Sequence, residues 1–138
     1  MRLLSTMALA GALTGAAFAY PAMARQAAPS DAEAALYSEM WAMAGICNQL
    51  VGYDVRQAEL ATFLNARVGS LAEDAQQRIL NEKEDRLDAM RAEVERLETL
   101  PRGNRRQRGV DENAAELRTR CTRLSQNDTA AAFFIRRS

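Results

Sequence analysis

The chain has 138 residues, with 18 Lys and Arg against 18 Asp and Glu, two Cys, one Trp and no His. That is one small domain. The missing His excludes Ser-His-Asp and Cys-His catalysis, His-based zinc sites, C-x-x-C-H haem attachment and imidazole pH sensing. The zero net charge argues against a generic polyanion binder.

Residues 1–24 read as an export signal. Arg2 is a minimal positive start, and Leu3–Ala19 is apolar and uncharged. Ala17-Phe18-Ala19 and Ala22-Met23-Ala24 both place small residues where signal peptidase needs them, so the mature chain starts at Tyr20 or Arg25. Pro21, just ahead of the second cut, favours that one. The alternative is an uncleaved anchor, near the lower limit of a spanning length and diluted by Ser5, Thr6, Gly11, Thr14 and Gly15. No Cys follows closely and no twin Arg precedes, so the general secretory route is the expectation. Seventeen of the 18 basic residues are Arg, which points to a GC-rich bacterial genome. Export then means the periplasm or secretion.

Residues 25–29 read as a linker, 30–125 as a helical bundle domain and 126–138 as a C-terminal tail. Ser30-Asp31-Ala32-Glu33 fits a capping box. The first helix runs to about Val51, with Leu36, Met40, Met43, Cys47 and Leu50 as one apolar stripe and Gly52 as its stop. Asp54–Gln57 is a second capping-box match. It opens a helix to about Val68, with Leu60, Phe63, Leu64 and Val68 inward. Ser70–Glu73 is a third match, opening a long helix over about Leu71–Leu100. From Leu80 on, its pattern is nearly heptad: Leu80, Leu87 and Val94 at one position, Lys83, Met90 and Leu97 at the other. The pattern fits a two-faced bundle helix, or a homodimer through this third helix. Pro101 ends it. Arg102–Gly109 reads as a basic loop, Asp111 as the cap of a fourth helix to about Leu124, and Ala114, Leu117, Cys121 and Leu124 as its buried stripe. Ser125–Asp128 is a turn, and Thr129–Ser138 adds one helical turn. No segment alternates with period two over strand length. The fold class is all-α, a small bundle of about four helices.

Cys47 and Cys121 both fall on buried stripes. In an oxidising compartment two such Cys in a small domain pair, so a disulfide between the first and last core helices is expected. A redox enzyme would place its dithiol closer, as in C-x-x-C.

Charge is uneven along the chain. Asp31–Pro101 carries 14 acidic and 7 basic residues, and Arg102–Ser138 carries 9 basic and 4 acidic. Glu82, Glu84, Asp85 and Asp88 invite a cation-site reading, but Lys83 and Arg86 interleave them, and a solvated helix face fits better. Tyr37 and Trp41 form either an exposed aromatic patch or part of a helix buried on two sides, and the Ala and Met around them favour burial. Asn127-Asp128-Thr129 suits an Asx turn better than glycosylation. Arg102, Arg105, Arg106 and Arg108 are the candidate binding residues, since guanidinium forks suit carboxylate and phosphate. Their alternative role is internal counter-charge to the acidic third helix.

The expectation is a periplasmic binding module for an envelope protein or an anionic envelope component, without cofactor, metal or nucleic acid. A periplasmic chaperone or stress-response protein is the second reading. A small enzyme is the third, lacking His, a nucleophile motif and a catalytic carboxylate pair.

Overall fold

The computed structural model describes residues 28–138. Residues 1–24, read as an export signal, and residues 25–27 of the expected linker lie outside them. Four α-helices, a short 3-10 turn and one two-stranded sheet make up the described chain.

Helix α1, Asp31–Gln49, starts with the expected capping box. The Ser30 hydroxyl accepts the Glu33 N–H at 3.1 Å, and the Glu33 carboxylate accepts the Ser30 N–H at 3.1 Å. Tyr37, Met40, Met43 and Cys47 are buried along its core-facing stripe. Gly52 then takes a positive φ of 89°, a conformation that costs glycine little. This turns the chain into strand β1, Tyr53–Val55.

Here the structure departs from the expected second capping box. Asp54 is a strand residue, and its carboxylate accepts from Arg137 at 2.8 Å. Helix α2, Gln57–Gly69, follows Arg56 with no side-chain cap. The strand forms because β2, Phe134–Arg136, pairs with it antiparallel, Tyr53 opposite Arg136 and Val55 opposite Phe134. The Arg56 and Arg137 amides extend the ladder, donating to Phe133 and Gly52 carbonyls at 2.9 and 2.8 Å.

The third capping box is also absent. Helix α3, Glu73–Thr99, has Ala72 at its start and no side-chain cap. Ser70 instead closes α2: its amide donates to Ala66 and its hydroxyl to the Arg67 carbonyl. Helix α4, Asn104–Gln126, begins well before Asp111, and Gly109 lies within it. Gly109 is not a breaker here but a point of close approach, since a Cβ built on it would stand 2.5 Å from a Leu97 methyl. Asp111, expected as a cap, accepts instead from the Gln107 amide one turn back.

Helix α1 is central, packing against α2, α3 and α4. Met40, Met43, Leu60, Leu64, Ile79 and Phe134 are fully buried around it. The expected disulfide is present: Cys47 and Cys121 join the end of α1 to α4 across a Cα–Cα distance of 5.7 Å. Residues 126–138, read from sequence as a tail, are built into the bundle. The Asn127 carbonyl oxygen of the side chain accepts the Thr129 and Ala130 amides, the expected Asx turn, and opens the 3-10 turn Ala130–Ala132. Ala130 and Phe134 are buried, and the Phe133 ring lies 5.0 Å from that of Phe63. The expected extra helical turn is thus a 3-10 turn followed by a strand. Among the described residues, no helix is long and apolar enough to cross a membrane.

Candidate functional site

The most heavily bonded polar group is Glu39, on α1 beside the buried Met40. Arg120 of α4 donates to it twice, at 2.6 and 2.7 Å, and Arg86 of α3 donates at 2.9 Å. Arg86 also donates to the buried Ser38 hydroxyl at 3.1 Å, which in turn donates to the Ala35 carbonyl at 2.9 Å. Burial works to raise the Glu39 pKa, but hydrogen bonds and charge from Arg120 and then Arg86 outweigh it and hold the carboxyl below its ordinary value. Glu39 is 17 % and Arg120 18 % exposed, so solvent competes little for the pair. These groups line a cleft of about 690 Å³ with Ala35, Leu36, Ala89 and Arg123. Both arginines are held by the one carboxylate. The cluster fastens α1 to α3 and α4, and it is structural.

The four arginines singled out from sequence occupy the tip of the α3–α4 hairpin. The mobile-loop reading is corrected here: Arg102 is in the turn, while Arg105, Arg106 and Arg108 lie on the first turns of α4. Leu97 packing on Gly109 carries the helix back through that glycine. Arg105 and Arg108, three apart, share a side of the helix and are exposed. Arg106 is half-buried and lines a small hollow with Val94, Glu98 and Val110. Among the described residues none of the four makes an ion pair. Farther down α3, Asp88 pairs with Arg91 at 3.1 Å and Glu93 with Arg96 at 2.7 Å, while Glu98, nearest the tip, lines the hollow beside Arg106 without an ion pair among the described residues. The first turn of α4 holds no acid, and Gly103 supplies no side-chain cap.

The expected solvated face of α3 is present at Glu84, Asp85 and Asp88, while Glu82 is half-buried and accepts from the Ser38 hydroxyl at 3.4 Å. Glu82 pairs with Arg78 and Glu84 with Lys83. Lys83 also sits 5.4 Å over the half-buried Trp41 ring. Tyr37 is buried, and its hydroxyl accepts from Arg67 at 3.1 Å. Burial is therefore the correct reading for Tyr37, and Trp41 is partly buried against the core.

At the opposite end of α4 is a cleft of about 510 Å³ that sequence reasoning missed. Its walls are the last turns of α4, with Arg118, Thr122, Arg123 and Gln126, and the strand pair, with Tyr53, Arg136 and Arg137. No carboxylate lines it. Charge counting hinted at it, since Arg102–Ser138 holds five basic residues outside the hairpin tip. The strand pairing that brings Arg136 and Arg137 to α4 left no periodic trace. Between α3 and α4 lies a third feature, an apolar groove formed by Ile46, Leu87, Met90, Val94 and Leu117. Part of the heptad face is used inside the chain: Leu97 is buried and Met90 packs on the core.

No protein-family model, curated protein or solved structure matches this chain. The site residues themselves therefore carry the functional reading.

Proposed function

We propose that this protein is an exported, disulfide-stapled binding module that docks an anionic component of the bacterial envelope on the tip of its α3–α4 hairpin. The observation that carries this is the absence of any ion pair from Arg102, Arg105, Arg106 or Arg108 to the acidic α3 among the described residues. Internal counter-charge is the competing role for these arginines, and only Arg106, which shares its hollow with Glu98, lies close enough to an acidic residue of α3 to favour it. A helix start is also a poor place for cations, because its backbone dipole already presents partial positive charge there. Arg105 and Arg106 on the first turn of α4, with Arg102 and Arg108 to either side, would be stabilised by an external carboxylate or phosphate. The Cys47–Cys121 bridge supports export, since disulfides are rare in reducing compartments.

The test uses the immobilised protein with envelope extract, and with vesicles of anionic or neutral phospholipid. Retention by the native protein should fall as salt rises. It should be lost in R105Q/R106Q/R108Q with no fall in melting temperature. Equal retention by the native and triple-variant proteins overturns the proposal.

The apolar groove at Leu87, Met90 and Val94 favours a second reading, a chaperone that shields apolar segments of unfolded clients. Suppression of client aggregation that disappears in L87Q/V94Q, and not in the arginine variant, would select it.

A further inference from the structure

The cleft between the end of α4 and the strand pair collects four guanidinium groups, those of Arg118, Arg123, Arg136 and Arg137. Their internal partners are few. Arg137 pairs with Asp54 at 2.8 Å, and Arg118 donates to the Val51 carbonyl at 3.2 Å. Arg123 and Arg136 have neither a hydrogen bond nor an ion pair among the described residues. Helix α4 can use one cation at its end, and Arg123 meets that need. Arg118 and Arg136 are left with no carboxylate partner among the described residues and face the hollow from its two walls, while Arg123 stands between this hollow and the Glu39 cleft.

The walls are fixed rather than floppy. The Tyr53 hydroxyl bonds to Thr122 and to the Arg118 carbonyl, which ties β1 to α4. Arg118 then ties α4 to the turn before Gly52. The disulfide anchors the same turn of α4 to α1. Like charges brought together on so rigid a frame repel, and the repulsion is relieved when an anion enters between them.

We propose that this cleft is a binding site for a small oxyanion carrying more than one negative charge, of the phosphate or pyrophosphate class. A planar carboxylate accepts one or two forks in its own plane, whereas a phosphoryl group accepts from several directions at once, as guanidinium groups on two walls require. A volume of about 510 Å³ holds more than a single phosphate. The Gln126 amide, also without a partner among the described residues, adds a neutral donor. The site stands apart from the hairpin tip, since Arg105 and Arg123 are about 27 Å apart along the helix. It is independent of the function proposed above.

Calorimetric titration of the full chain with inorganic phosphate, pyrophosphate and citrate tests this. Pyrophosphate should bind saturably, more tightly than phosphate or citrate. R123Q/R136Q should weaken it at least about tenfold, while R105Q/R106Q/R108Q leaves it unchanged. Both substituted residues are exposed and without a bonded partner among the described residues, so the melting temperature without ligand should fall only by the small contribution Arg123 makes at the end of α4. It should rise with pyrophosphate in the native protein only. No saturable pyrophosphate binding, or equal binding by R123Q/R136Q, overturns the proposal. Binding to phosphatidic acid vesicles without binding to soluble pyrophosphate also overturns it, and assigns the cleft to a lipid headgroup.

Discussion

Glu39 and Arg120, 81 residues apart in the chain, meet through two parallel bonds at 2.6 and 2.7 Å. Arg86 closes on the same carboxylate at 2.9 Å, so one glutamate holds two helices to α1. Removing one member of a buried pair leaves the other uncompensated, which costs about 3–5 kcal/mol when burial is complete.

Here burial is incomplete, and E39Q should lose about 2–4 kcal/mol in urea unfolding at pH 7. The pH dependence has a definite sign. The folded Glu39 pKa is depressed. Its contribution is therefore present above the unfolded value near pH 4.3 and is lost as pH falls through the lower folded value. The native protein should lose stability across that acid window. E39Q should lack this part of the slope.

The disulfide closes a loop with a sequence separation of 74. On the chain-entropy account, C47S/C121S should lower unfolding free energy by about 4 kcal/mol. Thiol titration of the unfolded protein should detect no free thiol without reductant and two with it.

Gly109 and Leu97 should behave as a coupled pair. G109V drives a branched side chain into the Leu97 methyl and should cost about 1–3 kcal/mol. L97A alone opens a cavity and should cost about 2–5 kcal/mol. The double variant should be less damaged than the sum, with a coupling of at least about 0.5 kcal/mol in a double-mutant cycle.

Arginines at the start of α4 oppose the helix dipole. R105E should therefore raise stability by about 0.3–1 kcal/mol at low salt, less at high salt, as read from urea midpoints. A loss of more than about 1 kcal/mol would show that Arg105 serves the fold.

What the sequence revealed and what it hid follow from the range of the interactions. Ser30 and Glu33 bond within one turn, so their capping box was readable. So were the stripes carrying Cys47 and Cys121, because helical periodicity exposes them. Asp54 and Ser70 matched the same local pattern, yet other bonds won. Asp54 pairs with Arg137, 83 residues on, and Ser70 completes the helix before it. Three-residue strands are too short to show alternation. Gly109 read as the end of a loop because nothing local reveals that Leu97 packs against it. The Glu39 cluster left one faint sign, a carboxylate flanking the Leu36–Met40–Met43 stripe, but its two arginines come from distant helices. The hairpin-tip arginines were found and their backbone misread. The second arginine cleft needs the β1–β2 pairing to exist at all.

The bridge between Cys47 and Cys121 also decides what happens when the backbone is cut. Arg102 and Arg105 are exposed at the hairpin tip, where a trypsin-like protease finds its preferred residue. A nick there falls inside the covalent ring. One fragment keeps Cys47 and the other keeps Cys121, so the product is a two-chain protein of unchanged mass apart from added water. It migrates as one species until reductant is added. Clipping of the tip would thus remodel the proposed binding surface without releasing either half.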